Sequence, residues 1–142
     1  MDSEVSITYR TGRKNQPSPF SFKKWINLAI SIRHLIHIKI VNTSESKKIN
    51  SKFRGVNKST NVLSFCYQNS KNFVWGDLLL CSDVILFEAN NHNKNVIDHY
   101  AHLTLHGSLH LLGYDHVYTN EAFIMESKEV ELLKSLGIKS PY

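Results

Sequence analysis

The sequence predicts one α+β domain built from four strands and five helices. Its 142 residues suit a single domain, and a hydrophobic fraction of 42% beside a charged fraction of 20% suits a folded globular chain. No internal repeat, long linker or low-complexity tract divides it. Strand-like segments with alternating polarity stand beside longer segments with helical periodicity, and that mixture defines the class. A core of this size needs no disulfide or structural metal, so a metal bound here would serve chemistry.

Residues 4–10, EVSITYR, alternate and read as the first strand. The polar stretch TGRKNQPSP at 11–19 is a loop. Residues 21–36 read as an amphipathic helix, with Ser21 as N-cap and Trp25, Leu28, Ala29 and Ile32 on one face. IHIKIVN at 36–42 alternates again as a second strand, and SESKKINSKFR at 44–54 fits a short polar helix capped by Ser44. The turn-like RGVNKST leads into a third strand at 61–67, and QNSKN connects it as a hairpin to a fourth at 73–81. A helix from Ser82 to Asn90 ends at NNHNKN. An almost wholly apolar helix then runs from Val96 to Leu112 and stops at Gly113, and a last one runs from Asn120 to Leu136 and stops at Gly137.

Composition narrows the function classes. Cys66 and Cys81 each lie in an apolar strand-like run and read as buried free thiols; without a CxxC pair they support neither a zinc ribbon nor a thioredoxin-like centre. The N-terminus has no secretory pattern and no apolar stretch is long enough to span a bilayer, so a reducing cytoplasm is the expected location. The net charge of +5 favours polyanionic partners, nucleic acid above all.

Five of the eight histidines fall between His99 and His116. In HGSLHLLGYDH, residues 106–116, His106 and His110 are four residues apart on one helix face, about 6 Å along the axis. Two imidazoles at that spacing can close on one ion. His102 lies a further turn back, about 12 Å from His110 along a straight helix, too far for all three to share an ion. The chain turns at Gly113, and His116 three residues later supplies the third ligand. Zinc, which favours tetrahedral nitrogen donors, then keeps a fourth position for water or substrate, one ion per chain. His34, His37 and His92 read as structural or solvated, while His99 and His102 share the metal-bearing face and are candidates to line a groove or orient a ligand. In zinc proteases with HExxH, the glutamate after the first histidine is the base. Here that residue is Gly107, and the nearest acidic candidates by sequence are Asp115 and Asp77.

HGSLHLLGYDH resembles the signature of the YbeY family of metal-dependent endoribonucleases, also called rRNA maturation factors. FRGVNKSTNVLSF at 53–65, GDLLLCSDVI at 76–85 and the closing LLKSLGIKSPY are similar to further stretches of that family in the same order. A departure is Cys66, where members commonly carry proline. The resemblance implies a mixed, mainly four-stranded sheet, zinc on the three motif histidines, and Arg54 as the arginine implicated in cleavage. It implies a single-stranded RNA substrate rather than DNA, and a role in maturing small-subunit rRNA, including the 16S 3′ end, and in ribosome quality control. The small ribosomal subunit and its assembly factors would be partners. A guanidinium suits the assignment of Arg54, because its planar fork binds phosphate oxygens and stays charged as phosphodiester cleavage builds negative charge.

Residues 1–142 are thus expected to form one metal-dependent endoribonuclease domain. Two alternatives stand beside it: a metallopeptidase-like hydrolase, and a non-catalytic ribosome-assembly factor with a structural zinc.

Overall fold

The computed structural model describes residues 3–142. Four strands, β1 (Glu4–Tyr9), β2 (Arg33–Val41), β3 (Val62–Asn69) and β4 (Phe73–Cys81), form one sheet in the order β1-β2-β4-β3. β2 pairs in parallel with β1 and β4, whereas β3 pairs antiparallel with β4, so the sheet is mixed and β3 is an edge. Five helices complete the fold: α1 (Pro19–Ala29), α2 (Thr43–Arg54), α3 (Ser82–Asn91), α4 (Val96–Leu111) and α5 (Thr119–Ser135). None of the described helices is long and apolar enough to cross a membrane.

The alternation of β2 shows how the sequence sets the layers. Ile36, Ile38 and Ile40 are fully buried and pack, with Val74, Leu78 and Leu80 of β4, against Phe22 and Ile26 of α1 and Tyr100, Leu105 and Leu109 of α4. The opposite sheet face is covered in part by α2, where Val41, Leu63 and Leu79 meet Ile49 and Phe65. α4 is therefore the central helix, capped at its start by Asn95, whose side chain accepts hydrogen bonds from the Ile97 and Asp98 amides.

The structure corrects several sequence boundaries. The helix expected over 21–36 ends at Ala29: Ile30 is already extended (φ −118°, ψ 103°). Arg33 and Leu35 are drawn into β2 by pairing with Phe73 and Trp75 of β4. The apolar residues between 30 and 36 satisfy both helical and strand periods, and sheet pairing decides between them. The N-cap is Ser18, with Pro19 opening the helix, while Ser21 donates its amide to the Ser18 hydroxyl. Phe22 and Ile26 join Trp25 and Ala29 on the buried face, and Leu28 is exposed. Asn42 rather than Ser44 caps α2. β3 runs on to Asn69 through an irregularity at Cys66/Gln68, leaving a shorter hairpin loop. Cys81 is a buried free thiol as expected, but Cys66 is exposed, because the β3 edge has no further strand beside it.

Candidate metal centre and its cleft

The last turns of α4 bring His106 and His110 together with their Nε2 atoms 3.1 Å apart. Each ring is fixed through its other nitrogen. His106 Nδ1 donates to Glu129 Oε2 at 3.1 Å, and His110 Nδ1 donates to the Tyr114 carbonyl at 3.0 Å. A carbonyl can only accept, and so can an ionised carboxylate. Burial pushes the Glu129 carboxyl up, but hydrogen bonds from His102 and His106 outweigh it and hold the group down at about 2. With Nδ1 committed to an acceptor in each ring, Nε2 is the nitrogen that a deprotonated ring offers as a lone pair, and the two Nε2 atoms face one another. Such a pair is satisfied by a cation between them.

His116 closes the cluster from outside the helix. The chain reverses at Gly113, whose φ of +101° is a left-handed conformation suited to glycine, and the Tyr114 amide returns to the Leu109 carbonyl. The same turn thus supplies the Tyr114 carbonyl that orients His110 and delivers His116. One ligand atom from each of His106, His110 and His116 lies within 4.8 Å of the others. Tetrahedral zinc with nitrogen donors at its usual bond length places them about 3.3 Å apart. The donor chemistry and the facing lone pairs fit a metal ion of this kind, with His116 the exposed member of the set.

Glu129 is the site residue that the sequence reading missed. It is fully buried, comes from α5, and accepts from His102 Nε2 (2.7 Å), His106 Nδ1 and the Tyr142 hydroxyl (3.0 Å). His102, His106 and Glu129 also form a compact group, but their contacts are hydrogen bonds that satisfy the carboxylate oxygens rather than a set of free donors. A signal was available: Glu129 falls in phase with Met125, Leu132 and Leu133, a lone carboxylate on the buried face of a helix. His102 therefore orients the carboxylate and is not placed with His110 and His116. His99 is held by Glu88 at 2.9 Å, and Glu88 also accepts from Asn61. His34 is buried and bonded to Asn27 and the Ile32 carbonyl, His37 is bonded to Thr8, and His92 is exposed at the end of α3.

The three histidines open onto a cleft of about 710 Å³ between α4, the Gly113–Val117 turn and the β3 edge. Arg54 lines the same cleft, although it belongs to α2, more than fifty residues away in sequence. It is the last residue of α2, where Gly55 caps the helix in a left-handed conformation (φ 69°). Arg54 is exposed and forms no ion pair among the described residues, so its guanidinium is available to a ligand. Asn61, Ser64 and Cys66 form the β3 wall.

Gly107 faces the sheet, not the cleft. A Cβ there would lie 2.8 Å from Leu78 Cδ2 and 3.1 Å from Ser64 Oγ, and that Ser64 hydroxyl donates to the Gly107 carbonyl. A glutamate base at this position would have no room. Asp115 lines the cleft and accepts from the His116 amide, whereas Asp77 is bound to the Tyr67 hydroxyl on the far side of the sheet.

Residues 12–137 match the family model described as Endoribonuclease YbeY. The protein of that name from Nitrosomonas europaea is 40% identical over 138 residues, spanning 97% of this chain and 84% of its own length. Its namesake in Alteromonas mediterranea is 43% identical over 133 residues, spanning 89% and 84% respectively. A solution structure of a Thermotoga maritima protein shares the fold, with a TM-score of 0.61 at 23% identity over 94% of this chain and 91% of that one. The chain belongs to the endoribonuclease YbeY family.

Proposed function

We propose that the chain carries out the activity for which its family is named, cleaving single-stranded RNA with zinc held by His106, His110 and His116 and with Arg54 as the phosphate clamp. The observation that supports it is the meeting, in one open cleft, of a three-histidine cluster and an exposed arginine from a helix distant in sequence. Residues 1–142 act in this reading as one endoribonuclease domain.

The chemistry a bound zinc supplies is Lewis acidity toward a phosphoryl oxygen and a lowered pKa for water. The chain's own residues do the rest. Glu129 and the Tyr114 carbonyl hold His106 and His110 in the tautomer that turns Nε2 to the cleft. Arg54, with no carboxylate partner among the described residues, can fork two phosphate oxygens and oppose the charge that builds on them in the transition state. Asn61, tied to Glu88, and the Ser64–Gly107 bond give the opposite wall a fixed position against α4.

The physiological substrate we assign is the rRNA of the small ribosomal subunit, including the 3′ end of 16S rRNA, in its maturation and quality control. Assembly factors of that subunit are the expected partners, in the cytoplasm. A peptidase role is disfavoured because position 107 is packed against the sheet and carries no base. A purely structural zinc is disfavoured because the cluster opens to solvent beside a core that closes without it. The deciding experiment tests purified zinc-loaded protein on single-stranded RNA and on casein, with metal content measured alongside. RNA cleavage with intact casein supports this function; casein cleavage, or no hydrolysis of either, overturns it.

A further inference from the structure

The edge strand β3 has two faces, and only one belongs to the cleft. Ser64 and Cys66 line the cleft, whereas Phe65 and Tyr67 turn to the outer face of the sheet. There Phe65 meets Phe53 edge-on at 5.6 Å, and Tyr67 lies 4.9 Å from Trp75 of β4. Phe53, Tyr67 and Trp75 remain 62%, 54% and 43% exposed, although α2 covers the neighbouring part of this face. Large aromatics left open on one face, Phe53 from the end of α2 and Tyr67 and Trp75 from adjacent strands, are costly unless something covers them.

We propose that this stripe is a stacking platform for nucleotides that flank the one held at the metal cleft, so that single-stranded RNA bends over the β3 edge onto Tyr67 and Trp75. The inference rests on the RNA-cleaving reading above and extends it. Continuity supports it: Arg54 in the cleft is the neighbour of Phe53 in the stripe, and Cys66 in the cleft is the neighbour of Tyr67. A strand leaving the cleft past either residue meets the aromatic row. Charge supports a polyanion over an apolar protein partner. Lys52 sits 5.3 Å from the Phe53 ring, Arg33 sits 5.4 Å from the Phe73 ring on the same face, and the chain carries +5 overall. The Asp77 carboxylate beside the pair accepts the Tyr67 hydroxyl at 2.6 Å, which also fixes that ring. Aromatic faces interleaved with cations bind single strands without reading sequence, since every base offers a stacking face.

The test uses the zinc-loaded full chain and cleavage-resistant 2′-O-methyl oligouridylates of about four and about twelve nucleotides, spanning the usual range of single-strand site sizes. Trp75 reports directly, because the other tryptophan, Trp25, is buried in the core. The longer oligomer should quench Trp75 and bind more tightly than the shorter one. Tyr67→Leu and Trp75→Leu should each weaken the longer oligomer about tenfold, the scale of one lost stack. Both should leave the shorter one unchanged. Tyr67 is the safer variant, being more than half exposed, and Trp75→Phe should restore most of the affinity. If RNA is bound and cleaved but neither variant changes the length dependence, the platform is wrong while the cleavage reading stands. If the wild type instead self-associates through this face, and Tyr67→Leu abolishes that without touching RNA affinity, the surface is a protein interface and the proposal fails. Absence of any RNA cleavage by the wild type overturns the parent reading instead.

Discussion

The two halves of α4 carry the same residue type to different ends. His99 and His102, in the first half, aim Nε2 at the carboxylates Glu88 and Glu129. His106 and His110, in the second half, give Nδ1 to an acceptor and turn Nε2 toward one another. All four are at least partly buried, so burial does not separate them. The separation lies in which ring nitrogen is already spoken for. A histidine becomes a ligand candidate when its partner is on the far side of the ring, and a strut when its near side is taken.

The largest effect should come from breaking the second half. His110→Ala is expected to remove most bound metal, since two remaining ligands do not hold a tetrahedral site, and RNA cleavage should vanish with it. Elemental analysis of the purified variant measures this; retention of a full metal complement would remove His110 from the ligand set. Next is the residue that α4 does not supply. Arg54→Ala should keep zinc and thermal stability while single-turnover cleavage falls by roughly 10²–10³, and Arg54→Lys should recover only part. Wild-type rates in Arg54→Ala would make it a surface residue.

Glu129 joins the halves, because it takes one bond from each. Glu129→Gln keeps its size but removes the charge that fixes both rings, and metal affinity should fall about 10–100-fold in a competition titration with a chelator. Unchanged affinity would reduce Glu129 to a packing residue. A smaller effect belongs to His99, whose pKa is lowered by burial despite Glu88, with His102 and Lys94 adding repulsion. Its neutral form is favoured in the fold, so its stabilising contribution is present above the ordinary value of 6.5 and is lost as pH falls below it. His99→Gln should flatten the stability curve below about pH 6.5 in urea unfolding. The smallest effect should be in His102→Ala, with metal content nearly unchanged. Loss of metal there, with retention in His116→Ala, would reverse the assignment of the two halves.

Much of this was legible in the chain, for identifiable reasons. The strand at 73–81 was readable to the residue, because its apolar run is bounded by the polar QNSKN before it and by the helix start at Ser82 after it, and Gly113 and Gly137 marked their helix ends. The histidine trio was legible because its spacing is local. The boundary between α1 and β2 was not, since Ile30 and Ile32 serve either period and only pairing with β4 decides. Glu129 was hidden because its partners lie on another helix, and periodicity within α5 shows that a carboxylate is buried without saying against what. The placement of Arg54 in the cleft was likewise non-local, and only the family resemblance drew attention to it.

Gly107 carries a consequence for the reach of the active cleft. Its bare Cα lets α4 settle against Leu78 and Ser64, both held in place, the one by the core and the other by its bond to the Gly107 carbonyl. An added methyl group would press on the side chains of Leu78, Ser64 and Val62, and α4 relieves that pressure by lifting from the sheet unless those side chains yield. Because β3 forms the opposing wall, any lift of α4 translates into a wider gap between the imidazoles and that wall. The separation between Arg54 and the histidine cluster, and so the width of the cleft they share, is in this sense gauged by a side chain that is missing.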